Sequence, residues 1–123
     1  MTLSAALGGE AFELIWELAE RGVLRLLTSP QAYLEAERNL AEKRPEALET
    51  LTHRMAAVRL VLDPIEVSDE FPLPPADARV YAAAQNAGAD VFLTGDLRHF
   101  GPLMGKDLVP RVQTPRDFLL RLG

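Results

Sequence analysis

The sequence predicts one α/β domain, a three-layer α/β/α arrangement with a central parallel sheet of four to five strands. Short apolar runs with the boundaries of buried strands alternate with longer segments of helical periodicity. This alternation is typical of parallel sheets with right-handed crossovers. The chain of 123 residues is long enough for one hydrophobic core and too short for two domains. Residues 1–123 are therefore predicted to form a single domain.

The first part of the chain is predicted to run helix, strand, helix. Apolar side chains recur at helical spacing over residues 10–21. Residues 23–28 are a short and mostly apolar run, bounded like a buried strand. Ser29 and Pro30 then provide an N-cap and a first-turn proline, so a helix is expected from Pro30 to about Lys43.

The middle of the chain is predicted to contain two more helices and a strand. A helix with an apolar stripe is expected over residues 45–57, followed by a brief strand over residues 59–62. The proline-rich residues 71–75 are expected to form a stiff, extended connector. An alanine-rich helix should follow over residues 77–87, closed by Gly88.

The last part is predicted to add two strands and a terminal helix. Residues 91–94 are an apolar run typical of a buried strand, and a loop is expected after it. The strand over residues 108–113 is interrupted by Pro110, which favours a position at the edge of the sheet. Thr114 starts a pattern that resembles a capping box, so a helix is expected over residues 115–122.

The composition excludes several classes of site. Without cysteine there is no disulfide framework, no thiolate nucleophile and no cysteine-bound zinc, and two distant histidines cannot build a histidine-rich site. Any metal is therefore expected to be held by oxygen. The net charge of −5 argues against a general nucleic-acid coat. A cytoplasmic protein is expected, since no apolar run approaches the roughly 18 residues of a membrane span.

Three acidic residues are predicted to meet at one edge of the sheet. Asp96 follows a strand directly, Asp77 opens a helix entered after a strand, and Glu35 lies in the second turn of another such helix. In a parallel sheet these positions share the carboxyl edge. Converging carboxylates repel one another unless a hard cation such as Mg²⁺ or Mn²⁺ lies between them. The pattern favours metal-assisted phosphate chemistry.

Each of these residues also has an ordinary structural interpretation. Asp77 can be a helix cap, and Asp96 can belong to a turn. Glu35 lies on a charged helix, where most glutamates are solvated. Arg98 and His99 are as easily loop residues as phosphate contacts.

Six segments of the sequence together carry a resemblance to known proteins. They are Leu3-Ser-Ala-Ala-Leu-Gly8, Ser29-Pro-Gln-Ala-Tyr-Leu-Glu35, Asp77-Ala-Arg-Val-Tyr-Ala-Ala-Ala84, Ala89-Asp-Val-Phe-Leu-Thr-Gly-Asp96, Arg98-His-Phe100 and Val112-Gln-Thr-Pro-Arg-Asp-Phe118. These segments resemble the PIN domain family, including the VapC-like toxins of prokaryotes. The C-terminal half carries most of the resemblance, and the two segments near the N-terminus extend it over most of the chain.

The resemblance implies a Mg²⁺- or Mn²⁺-dependent ribonuclease. It implies metal binding by Glu35, Asp77 and Asp96, with the Thr94 hydroxyl in support. RNA would then be held by cations beside the site, with Arg79, Arg98 and His99 as the substrate-binding candidates. Many such prokaryotic domains are toxins paired with an antitoxin protein, and they commonly form homodimers.

The chain departs from the family pattern at its beginning. PIN domains open with a strand that carries an aspartate a few residues before the Ser-Ala segment, whereas only Met1-Thr2-Leu3 precedes Ser4 here. That acid is expected either upstream of Met1 in the native gene product or to have been lost, and activity of this chain is expected to be impaired. A shortened first strand is also expected to leave neighbouring strands unpaired, which favours dimerisation.

Two alternatives to a working nuclease stay open. The first is a degenerate PIN module that binds RNA or a protein partner without catalysis. The second is an unrelated phosphate-binding or receiver-like domain, which is disfavoured because the chain lacks a glycine-rich phosphate loop and an acid-bearing first strand.

Overall fold

The structure is a computed structural model that describes residues 2–5, 12–64 and 71–122. The described strands are β1 Thr2–Ala5, β2 Arg25–Thr28, β3 Val58–Leu60, β4 Val91–Leu93 and β5 Arg111–Gln113. The described α-helices are α1 Phe12–Glu20, α2 Pro30–Lys43, α3 Leu48–Arg54, α4 Pro75–Asn86, α5 Leu97–Phe100 and α6 Pro115–Leu122. None of the described helices is long and apolar enough to span a bilayer.

The strands pair in parallel, in the order β3-β2-β1-β4-β5. The predicted mixed α/β class with parallel strand pairs is therefore confirmed. β5 lies at one end of this order, as its proline predicted. The carboxyl ends of β2 and β4, after which the candidate acids follow, face the same edge because all the pairs are parallel.

β1 does not leave the predicted gap between its neighbours. Its residues pair with Arg25, Leu26 and Leu27 of β2. On the other side they pair with all three residues of β4. The expectation of unpaired backbone groups beside a shortened first strand is thus wrong for the described residues, because residues 2–5 suffice to span β4. Dimerisation stays a prediction that rests on the resemblance alone.

Helices α2 and α6 have the predicted boundaries, because each begins at a side-chain cap. The Ala32 N–H donates to Ser29 Oγ at 3.2 Å, and Pro30 occupies the first helical turn. The Asp117 N–H donates to Thr114 Oγ1 at 3.0 Å. Local capping chemistry therefore fixes these two starts independently of tertiary packing.

Other predicted boundaries require correction. The helix expected over residues 45–57 is α3 flanked by single turns of 3₁₀ helix at Pro45–Ala47 and Met55–Ala57. The strand expected over residues 59–62 is β3, which begins and ends earlier. α4 begins at Pro75 rather than residue 77, since a proline is favourable in the first turn of a helix. Residues 10 and 11 of the first predicted helix lie outside the described residues.

The segment after β4 is helical rather than a loop. α5 covers residues 97–100, and a 3₁₀ turn at Gly101–Leu103 continues it. Asp96 is the N-cap of α5 and stabilises this short helix. The consequence for the site is that His99 is held on a helix directly after β4.

Alternate residues along β2 and β4 belong to two separate hydrophobic clusters. In β2, Leu26 packs in one cluster and Leu27 in the other. In β4, Phe92 belongs to the second cluster while its two neighbours belong to the first. Since successive strand residues point to opposite faces, helices cover both faces of these strands. α2 contributes Ala36 to the first cluster and Ala32 to the second.

Tyr81 anchors α4 to the segment before β5. Its side chain is 1% exposed, and its hydroxyl donates to the Pro110 carbonyl at 2.6 Å. Its ring also makes edge-on contacts with Phe71 and Phe92 at centroid distances of 5.4 Å. The hydroxyl and the ring together tie the helix that carries Asp77 to the strand region.

Replacing Tyr81 with phenylalanine is expected to destabilise the protein by ~1–2 kcal/mol. The change keeps the ring contacts and leaves the buried Pro110 carbonyl without this donor. Urea unfolding followed by circular dichroism measures the effect. A free energy of unfolding equal to that of the wild type would show that the hydroxyl contributes nothing to stability.

Candidate metal centre

Asp77, Asp96 and His99 bring three ligand atoms together beyond the end of β4. These atoms lie within 4.8 Å of one another. His99 Nδ1 is 2.8 Å from Asp96 Oδ2 and 3.3 Å from Asp77 Oδ2. We call these three residues the Asp–His cluster. Carboxylate oxygens and an imidazole nitrogen at this spacing are a donor set that can bind a divalent metal ion.

Asp96 is positioned by its own backbone and by a cap. Its N–H donates to Thr94 Oγ1 at 3.1 Å, which fixes the turn out of β4. Its Oδ1 accepts the His99 N–H at 3.1 Å and so caps α5, while its Oδ2 faces the cluster. The turn interpretation and the functional one are thus compatible. Thr94 is buried, and this contact makes its hydroxyl a support for Asp96.

Asp77 lies in the first turn of α4 but does not cap it. Pro74 occupies the N-cap position, and no side-chain hydrogen bond caps the helix. The side chain of Asp77 is only 17% exposed. Its position at the helix N-terminus is electrostatically favourable, but the capping role expected as its structural alternative is not seen.

The two aspartates differ in their electrostatic environments. Burial raises the pKa of Asp77, the charges of Glu35 and Asp96 raise it further, and His99 opposes them without cancelling the rise. Burial also acts to raise the pKa of Asp96. Hydrogen bonds from the backbone and ring of His99 are the largest of the effects that oppose burial, and together these effects lower the pKa of Asp96. The ionised form of Asp77 is therefore only partly compensated by its neighbours in the folded chain.

Glu35 lines the same cavity as the aspartates but is not part of the Asp–His cluster. A cavity of about 600 Å³ is bounded by residues of α2, α4, β4 and the segment after β4. Glu35, Asp77, Thr94 and Asp96 all line it. Glu35 is also near enough for its charge to raise the pKa of Asp77. The structure thus brings the four predicted catalytic residues to one cavity, which we call the site cavity.

Comparisons with protein-family models, with curated proteins and with solved structures find no match to this chain. Function is therefore inferred from the chemistry of the site cavity and its lining residues. No relative supplies a ligand set or a substrate.

A hydrogen-bonded support of Glu35 was not predicted. Gln31 Nε2 donates to Glu35 Oε1 at 3.2 Å, one helical turn away. The Gln31 backbone N–H donates to Asp63 Oδ2 at 3.0 Å, linking α2 to the segment after β3. Asp63 Oδ1 is buried and has no hydrogen-bond partner among the described residues. The i,i+4 spacing of Gln31 and Glu35 was the one signal in the sequence that could have indicated this support.

Gln31→Met is expected to weaken Mn²⁺ binding by about 10-fold, the lower end of the effect of removing a hydrogen bond to a metal ligand. The reason is that Glu35 loses the amide that restrains its carboxylate, while the backbone bond to Asp63 is kept. Isothermal titration with Mn²⁺ measures the change. Arg38→Met, on an exposed position of α2, is the matched control and should bind as the wild type does. Equal affinities in both variants would contradict a supporting role for Gln31.

The predicted substrate-binding residues lie at different places relative to the site cavity. His99 joins the Asp–His cluster and is close to both aspartates. Among the described residues, the lining of the site cavity includes neither Arg79 nor Arg98. Beyond the acids and Thr94, its polar and cationic lining comes from the C-terminal half of α2 and the residue that ends it, namely Asn39, Lys43 and Arg44.

Proposed function

We propose that the protein is a metal-dependent endoribonuclease of the PIN type, with its strands forming the central sheet of a three-layer α/β/α domain. The observation that carries the proposal is the meeting of Asp77 and Asp96 at a cavity that Glu35 also lines. Opposing carboxylates at the carboxyl edge of parallel strands are suited to a hard cation and a phosphate ester. We assign Mg²⁺ or Mn²⁺ as that cation.

Each residue of the site has a role in the proposed reaction. Asp77 and Asp96 would hold the cation, whose chemistry is to polarise a phosphate and to lower the pKa of a bound water. Glu35 lines the same cavity and Gln31 restrains its Oε1, so Glu35 would add a third carboxylate to the ligands of the cation. Thr94 holds the backbone of Asp96 in place. His99 Nδ1 lies close to both carboxylates and acts to lower the pKa of each.

The biological setting is proposed from the resemblance. An RNA substrate, a homodimer, an antitoxin partner and a cytoplasmic location all belong to this proposal. The chain needs no cysteine or serine nucleophile for it, since hydrolysis at a metal centre uses water.

One observation favours a second candidate function. The sequence of β1, Thr2–Ala5, contains no acid, so the described site has three carboxylates from Glu35, Asp77 and Asp96 and none from its central strand. A PIN-type nuclease is expected to need a fourth. We therefore propose, as the alternative, a PIN-like module that binds RNA or a protein partner without cutting it.

Metal binding and RNA cleavage distinguish the two. Mn²⁺ is titrated into the purified protein and the free ion is followed by electron paramagnetic resonance, and a fluorogenic single-stranded RNA is incubated with Mn²⁺, with Mg²⁺ or with chelator. Saturable Mn²⁺ binding with chelator-sensitive cleavage supports the nuclease. RNA or partner binding that is indifferent to chelator, without cleavage, supports the binding module and overturns the nuclease.

A further inference from the structure

The site cavity extends well beyond the acids along α2. Glu35, Asn39 and Lys43 follow one another at four-residue steps, and all three line the cavity. Each step advances ~6 Å along a helix, so Lys43 stands ~12 Å from Glu35 along the axis. Arg44, which ends α2, lines the same space. One face of α2 therefore leads from the acids to a pair of cations.

The two ends of the site cavity differ in charge and chemistry. Glu35, with Asp77 and Asp96, marks one end of the cavity along α2, and Lys43 and Arg44 lie about two helical turns further along. The lining also includes apolar residues, among them Ala36, Leu40 and Val80. A lone metal ion would need only the acidic end. A ligand that spans both ends must combine a group that binds through a cation, an uncharged stretch and a second anion.

We propose that Asn39, Lys43 and Arg44 form a phosphate-binding subsite for single-stranded nucleic acid. It holds a further phosphate of the strand whose scissile phosphate lies at the Asp–His cluster, with the intervening sugars and bases against the apolar lining. This proposal rests on the proposed function. A concave cavity of about 600 Å³ with apolar lining suits a single strand, whose bases are free to contact it, better than a duplex, whose bases are paired inside.

The local contacts leave the two cations suited to this role. Arg44 Nε lies 3.9 Å from Glu46 Oε1, and both side chains are more than half exposed, so this pair contributes little to stability. Lys43 is favourable in the last turn of α2 because of the helix dipole. The interaction with the helix dipole favours the charge of Lys43 at this position and uses none of the N–H donors of its ammonium group. A phosphate can therefore replace solvent at both side chains.

The test compares two double variants that each remove two positive charges. Lys43→Gln/Arg44→Gln removes the proposed subsite, and Arg38→Gln/Arg116→Gln removes exposed charges that do not line the cavity. Binding of a short fluorescein-labelled single-stranded RNA is measured by anisotropy with Ca²⁺ in place of Mn²⁺, over a range of salt concentrations. Mn²⁺ binding is measured separately on every variant.

The subsite variant is expected to bind RNA about 10-fold more weakly. The slope of log affinity against log salt should fall by ~0.7, the value for one lost phosphate contact on a single strand. The control variant and Mn²⁺ binding should be unchanged.

Equal weakening by both double variants, or equal binding of a duplex and a single strand, would overturn the subsite. If Mn²⁺ fails to bind while RNA binding still depends on Lys43 and Arg44, the subsite stands and the proposed nuclease fails.

Discussion

Asp96→Asn is expected to abolish Mn²⁺ binding and to lower RNA cleavage by ~100-fold or more, a loss of ~3 kcal/mol in transition-state stabilisation. Asparagine keeps the shape of the side chain and loses the negative charge that faces the cluster. It also caps helices about as well as aspartate does, so α5 should be retained. The fold should therefore survive a change that removes the function. Cleavage rates with Mn²⁺ and thermal melts with and without Mn²⁺ measure both effects.

The thermal melts separate loss of metal from loss of structure. At a Mn²⁺ concentration 100 times its Kd, the wild type gains ~2.7 kcal/mol of stability from binding. Asp96→Asn should melt near the metal-free wild type and show no such gain. Asp107→Asn, an exposed acid outside the site cavity, is the matched control and should keep the full gain. A metal-induced gain that survives in Asp96→Asn would mean that the ion binds elsewhere.

Much of the secondary structure can be predicted because it depends on local chemistry. Ser29 and Pro30 set the start of α2, and Thr114 sets the start of α6, since capping needs only neighbouring residues. The position of Asp96 at the carboxyl end of β4 was predictable for a similar reason, since Asp96 directly follows a buried apolar run. Elements with clear side-chain caps are thus the ones whose boundaries agree with the structure.

The missed features are either too short to show a pattern or depend on contacts between distant segments. α5 is four residues long, too short to show a hydrophobic period, and it exists because Asp96 caps it. The ring of His99 meets Asp77 only because α4 begins beside the end of β4. Asp63 meets Gln31 across 32 residues. Such pairings leave no mark in sequence spacing.

The two cations that line the site cavity were also not predicted from the sequence. Arg98 adjoins Asp96 in sequence and was the natural candidate for a substrate contact, yet Lys43 and Arg44 line the cavity. Proximity in sequence to an acid is a poor guide here, because the face of α2 continues past Glu35 over the same cavity. Helical steps of four residues from Glu35 would have found Lys43.

Asp77→Asn is expected to raise the melting temperature of the metal-free protein by a few degrees while abolishing the stabilisation by Mn²⁺. Burial and the charges of Glu35 and Asp96 raise the pKa of Asp77, so its ionised form is unfavourable in the folded chain. Asparagine removes that charge and keeps the side-chain volume. A gain of ~1 kcal/mol or less corresponds to a shift of this size. Loss of a metal ligand in exchange for apo stability is the trade-off expected at a functional site.

The direction of the Asp77 pKa shift determines how this gain in stability changes with pH. Because the pKa of Asp77 is higher in the folded chain than in the unfolded chain, the folded state binds the proton more readily and is favoured at low pH. The cost of ionisation appears as the pH rises from the unfolded-state pKa and is complete above the folded-state pKa. The advantage of Asp77→Asn should therefore be full at neutral pH, should shrink as the pH falls through the raised folded-state pKa, and should be gone below about pH 4, near the unfolded-state pKa. Asp107→Asn should show no comparable gain. A stability difference that stays constant from neutral to acidic pH would mean that relief of the Asp77 charge is not its cause.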